Sequence, residues 1–158
     1  MALVVEDGSI VSNATSYVSR SDFTTWADAR GITYPADTDE LDQKIQRAMD
    51  FIESLQFLGE KHTEDQSLQW PRDYVFIDGY SIESDEIPKE VKIAVYEATK
   101  VEIDGDSKLS ASERETLREK VGDIEVQYST SSGMKRSTPA IMKALRKLIH
   151  SPMEVSRV

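Results

Sequence analysis

Two stretches of helical period constrain this chain more than any other feature: Leu41, Ile45, Ala48, Met49, Ile52 and Leu55, then Val91, Ala94, Val95, Ala98 and Val101. Apolar residues at three- and four-residue steps line one side of a helix, and that side must be covered. The simplest cover is the other helix, so the pair should form the core. Thr38 or Asp39 can cap the first helix, whose early acids Asp39, Glu40 and Asp42 complement the positive end of its dipole, and it should stop before Gly59. Pro88 suits the first position of the second helix, and Asp104-Gly105-Asp106-Ser107 ends it.

The remaining segments are shorter. Ser19 or Ser21 can cap a helix through Phe23, Trp26 and Ala27 that ends at Arg30, with Gly31 at the left-handed position beyond it. Pro139 can open a last helix within 138–150, with Ile141, Met142, Leu145, Leu148 and Ile149 as its apolar stripe and Lys143, Arg146 and Lys147 opposite. Residues 1–18 show no helical period and read as an extended arm. Residues 59–86 read as a long functional loop punctuated by Trp70-Pro71-Arg72 and Asp78-Gly79, around the apolar run Tyr74-Val75-Phe76-Ile77. Alternation of Val121, Ile124, Val126 and Tyr128 about Gly122-Asp123 predicts a strand or small hairpin within 115–128. Ser129 to Thr138 reads as a loop and 151–158 as a tail. The expected class is mainly α: a small bundle of about four helices with a short strand or hairpin, an extended N-terminal arm and a C-terminal tail. At 158 residues it should be one domain with its helical core in 19–58 and 87–104.

Composition narrows the function. With 19 basic and 29 acidic residues the formal charge is −10, so a phosphate backbone is repelled unless the cations cluster. Without cysteine there is no disulfide or thiolate chemistry. No run of 18 apolar residues exists, and the start has neither a basic n-region nor a long apolar one, so the chain is expected to stay in the cytoplasm that makes it, with no membrane contact.

Catalytic motifs are missing. His62 lies in a polar loop and His150 at a helix end, no Gly-x-Ser-x-Gly elbow frames a serine, and no glycine-rich phosphate loop occurs. Glu102, Asp104, Asp106 and Glu113 approach a calcium-loop spacing, but Ser107 stands where the sharp turn needs glycine, and a solvated acidic helix end is the plainer reading. Asp85 and Glu86 have no visible sugar cleft, and the sequon Asn13-Ala14-Thr15 lacks a secretory signal. No enzyme, cofactor or metal is expected. Trp70-Pro71-Arg72 is the most distinctive run. It could anchor an interface, or Trp70 could fold onto the helix pair while Arg72 pairs with a surface acid.

Several fragments together carry a resemblance. They are Val5-Glu6-Asp7-Gly8, Asn13-Ala14-Thr15-Ser16-Tyr17-Val18, Ala29-Arg30-Gly31, Phe57-Leu58-Gly59, Gln66-Ser67-Leu68-Gln69-Trp70-Pro71-Arg72, Ile87-Pro88 and Lys120-Val121-Gly122-Asp123-Ile124-Glu125-Val126-Gln127-Tyr128. In this order the chain resembles the small head-to-tail connector proteins of tailed bacteriophages, also called adaptors or head-completion proteins. Many of these carry the label DnaT-like single-stranded-DNA-binding protein. The stretch between Arg72 and Ile87 departs from that pattern, being long and rich in Tyr, Asp and Ser.

The resemblance implies a ring, usually a dodecamer, beneath the portal protein in the virion neck. Such a ring offers a surface to a downstream neck or tail protein, and packaged DNA passes through its channel without specific binding. Arm, loop and tail look surplus to a monomer and would reach neighbouring copies. The expected interface residues are Trp70, Pro71, Arg72, Tyr17, Arg146, Ser151, Pro152, Met153, Val155 and Val158, with the Trp70 loop at a subunit contact and the last helix and tail on the portal. The rival is a single-stranded nucleic-acid-binding module using Lys135, Arg136, Lys143, Arg146 and Lys147. Against it, no aromatic residue interleaves that cluster along the sequence.

Overall fold

The computed structural model describes residues 2–105, 118–121, 124–127 and 139–150. Among the described residues there are four helices: α1 (Arg20–Asp28), α2 (Thr38–Glu53), α3 (Lys89–Ile103) and α4 (Pro139–Leu145). Three antiparallel strand pairs accompany them: β1 (Glu60–Lys61) with β2 (Arg72–Asp73), β3 (Phe76–Ile77) with β4 (Tyr80–Ser81), and β5 (Arg118–Val121) with β6 (Ile124–Gln127). The class is the mainly α bundle expected.

Local chemistry fixes the helix starts. Ser19 and Asp22 form a reciprocal capping box at α1: the Ser19 hydroxyl accepts the Asp22 N–H at 3.1 Å, and the Asp22 carboxylate accepts the Ser19 N–H at 3.0 Å. Asp37, one residue ahead of the expected cap, accepts the N–H groups of Asp39 and Glu40 at 2.8 and 3.1 Å. The predicted stripes then meet. Leu41, Ile45, Ala48, Met49 and Ile52 of α2 are buried with Val91, Ala94, Val95 and Ala98 of α3, and Ile141 and Leu145 of α4 complete the layer.

The N-terminal segment is not a free extended arm. Val5 bridges to Ser16, the Glu6 N–H donates to the Ser16 carbonyl at 2.8 Å, and Ala14, Tyr17 and Val18 sit in the core. The buried Glu6 carboxylate closes the loop by accepting the N–H groups of Gly8, Ile10 and Val11 at 2.8–3.0 Å. Gly8 follows from this closure. Its φ is +111°, and a Cβ there would stand 1.8 Å from the Asp85 carbonyl oxygen.

Residues 59–86 likewise are not an irregular loop. They hold two strand pairs and bury Leu68, Trp70 and Val75. The expected last helix starts at Pro139 but ends at Leu145. Beyond it residues 146–148 form a turn, after which the chain pairs with the segment after α2: Phe57 bridges Ile149, the Leu58 N–H donates to the Leu148 carbonyl at 2.8 Å, and the His150 N–H to that of Gln56 at 3.1 Å. The predicted hairpin pairs Val121 with Ile124 and Arg118 with Gln127. The Ser129 to Thr138 loop and the 151–158 tail lie outside the described residues, as do Asp106 and Glu113 of the calcium-like spacing.

Candidate nucleic-acid interface

The Trp-Pro-Arg run is an internal clasp. Trp70 is fully buried and meets Phe57 edge-on, with ring centroids 5.8 Å apart, and the Trp70–Pro71 peptide is cis. Arg72 pairs with no surface acid among the described residues. Its Nε donates to the Leu58 carbonyl at 2.7 Å, Nη2 to those of Gly59 at 2.7 Å and Phe57 at 3.3 Å, and Nη1 to that of Gln69 at 3.3 Å. A planar fork of five donors suits four carbonyls on two chain segments, which is why arginine occupies this place. Burial draws its pKa down, against the pull of Tyr17, Glu53 and Glu60.

Tyr17 joins the same clasp. Its hydroxyl donates to Glu53 and accepts the Trp70 N–H at 3.0 Å, while the other Glu53 oxygen accepts the Gln69 N–H at 2.9 Å. Desolvation raises both the Tyr17 and Glu53 pKa values. The folded state therefore holds the Glu53 proton more tightly than the unfolded chain does. Between the ordinary glutamate value and the raised one, stability grows as pH falls. Urea denaturation across a pH series should show this gain, and Glu53→Gln should flatten it. An identical pH dependence in the variant would contradict the assignment.

Of the interface residues expected from sequence, Tyr17, Trp70, Pro71 and Arg72 are therefore buried within their own chain, where the free protein offers them to no neighbour. Arg146 is exposed, and Ser151, Pro152, Met153, Val155 and Val158 lie outside the described residues.

A different surface emerges at the β3–β4 hairpin. Asp78 and Gly79 at its tip both have positive φ, +53° and +88°, the primed turn that matches strand twist. Tyr74, Phe76 and Tyr80 are 76%, 59% and 79% exposed, although Val75 beneath them is fully buried. The hairpin is tied to the end of α4: Lys147 Nζ donates to both carboxylate oxygens of Asp78, at 2.8 and 2.6 Å. Lys143 and Arg146 are exposed on the same short stretch. Folding thus ties the hairpin that carries these rings, through Asp78, to Lys147 of the stretch that holds Lys143 and Arg146, although no aromatic residue interleaves that stretch in sequence. The signal that could have found them was the apolar run Tyr74-Val75-Phe76-Ile77 standing directly before the turn pair Asp78-Gly79.

Fold and surface together define a small, mainly helical domain that presents an aromatic hairpin braced on a basic helix end. The chain matches, over residues 1–158, the family described as "Putative DnaT-like ssDNA binding protein". It belongs to that family. No curated protein and no solved structure matches it.

Proposed function

We propose that this chain is a non-catalytic binding module for single-stranded DNA, held where the β3–β4 hairpin meets the end of α4. The Lys147–Asp78 bridge carries this reading, because it joins the hairpin that bears the exposed rings to the stretch that bears Lys143 and Arg146. Single-strand binders combine these two elements: each base stacked on an aromatic ring contributes about 1–3 kcal/mol, and cations track the phosphates. The family description names the same ligand. The net charge of −10 opposes approach, but beyond a Debye length of about 8 Å at physiological salt it is screened, so the local Lys143 and Arg146 govern the contact. Binding should be modest and sensitive to salt.

An oligothymidylate should shift in a native gel at ~50 mM salt, and the double variant Lys143→Glu, Arg146→Glu should lose the shift. With two phosphates neutralised, raising salt to ~200 mM should weaken binding about sevenfold. No complex at micromolar protein and low salt would sink this reading.

The second reading is a head-to-tail adaptor in a phage neck, forming a ring on the portal protein and receiving a downstream neck or tail protein. It is favoured by the resemblance and by the hairpin's surroundings. Asp73, Asp78, Glu83, Asp85 and Glu86 occur with no Lys or Arg between Arg72 and Lys89, which suits a basic protein partner better than phosphate. Portal capture in a pull-down, with no oligonucleotide shift, would select it.

A further inference from the structure

We propose that Tyr74 is a base-stacking residue of this surface, one that restricts the ligand to nucleic acid with unstacked, accessible bases; the inference rests on the single-stranded-DNA reading above. Tyr74 has a φ of +60°, a left-handed conformation that a bulky side chain adopts at a cost and glycine adopts freely. Burial does not compensate it, because the ring is 76% exposed. No hydrogen bond or ring contact holds it among the described residues.

The backbone on either side is fixed. Two residues before, Arg72 grips the carbonyls of Phe57, Leu58, Gly59 and Gln69. One residue after, Val75 is fully buried and its carbonyl accepts the Ile82 N–H at 2.9 Å. Between these anchors a left-handed residue directs a ring outward. A strained and solvated aromatic on a fixed backbone has no return within its own fold, and that combination points to function.

The hairpin's own register shows why a third ring matters. Phe76 pairs with Ser81 and Tyr80 with Ile77, so Phe76 and Tyr80 stand on opposite faces of the ribbon. Those two rings cannot lie side by side under one run of bases. A duplex, with its bases already stacked on one another, has no free base face to offer any of the three.

Tyr74→Gly, Tyr74→Phe and the wild type would be compared by thermal unfolding and by the fluorescence of a 2-aminopurine-labelled single strand, with the matching duplex as a second probe. Tyr74→Gly should unfold about 2–4 °C higher, as strain is released. It should also bind the single strand roughly five- to a hundredfold more weakly, the loss of one stacked base. Tyr74→Phe should stay within about twofold of wild type, since the ring is kept, and the duplex should bind more weakly than the single strand to wild type. Single-strand binding unchanged in Tyr74→Gly but lost in Lys143→Glu, Arg146→Glu would overturn the role of Tyr74 and leave the ligand reading standing. A wild type that binds no single strand would overturn both, as would a portal protein captured by wild type and not by Tyr74→Gly.

Discussion

Trp70→Ala should lower the free energy of unfolding by about 3–5 kcal/mol, read from urea denaturation followed by far-ultraviolet circular dichroism. The side chain is fully buried among Tyr17, Phe57 and the helix layer, so truncation leaves a large cavity where the β1–β2 region meets the end of α2. A loss of that size is a considerable part of the stability of an ordinary domain. Trp70→Phe should cost less than half as much. It keeps an aromatic edge for Phe57, and it removes an indole N–H that is buried without an acceptor among the described residues. A Trp70→Ala protein within ~1 kcal/mol of wild type would show that the ring does not hold the fold together. The same measurement bears on the expected subunit contact: a ring needed only between copies would spare the stability of the monomer when removed.

The helix pair was legible in the sequence because its signal is local and periodic. Each of Leu41, Ile45, Ala48, Met49 and Ile52 lies within one turn of the next, and their caps are adjacent residues. The β5–β6 pairing was legible for a similar reason, with Ile124, Val126 and Tyr128 alternating directly after the turn pair Gly122-Asp123. Residues 1–18 and 59–86 were not legible. Their burial depends on groups whose partners are turns rather than repeats: a carboxylate, Glu6, satisfied by three backbone N–H groups, and strands of two residues, too short to alternate. Arm and loop therefore read as surplus to a monomer, whereas both are packed into it. The candidate surface was hidden by distance. Asp78 and Lys147 lie 69 residues apart, and no window along the sequence contains both the rings and the cations.

That surface depends on a residue that never reaches it, and Arg72→Ala should lower stability by about 2–4 kcal/mol, the cost of leaving one buried and three part-buried carbonyls without this donor. Arg72→Lys should recover little of this. A single ammonium has three donors radiating from one nitrogen, and the carbonyls of Phe57, Leu58, Gly59 and Gln69 are met from three separate nitrogens of the guanidinium. The consequences should travel along the chain. Phe57 and Leu58 are the residues onto which Leu148 and Ile149 pair, and that pairing fixes the end of α4, where Lys147 holds Asp78 of the hairpin. Amide exchange at Leu58 and His150, whose N–H groups make those cross-links, should therefore quicken in Arg72→Lys before exchange rises in the middle of α2. Oligonucleotide binding should weaken with it, although Arg72 is buried and touches no ligand. Exchange that rises uniformly across the domain would deny the clasp any particular hold on α4. Arg72→Lys with wild-type stability would show that a point charge serves as well as the fork, and the account of the Trp-Pro-Arg run as a carbonyl clasp would fail.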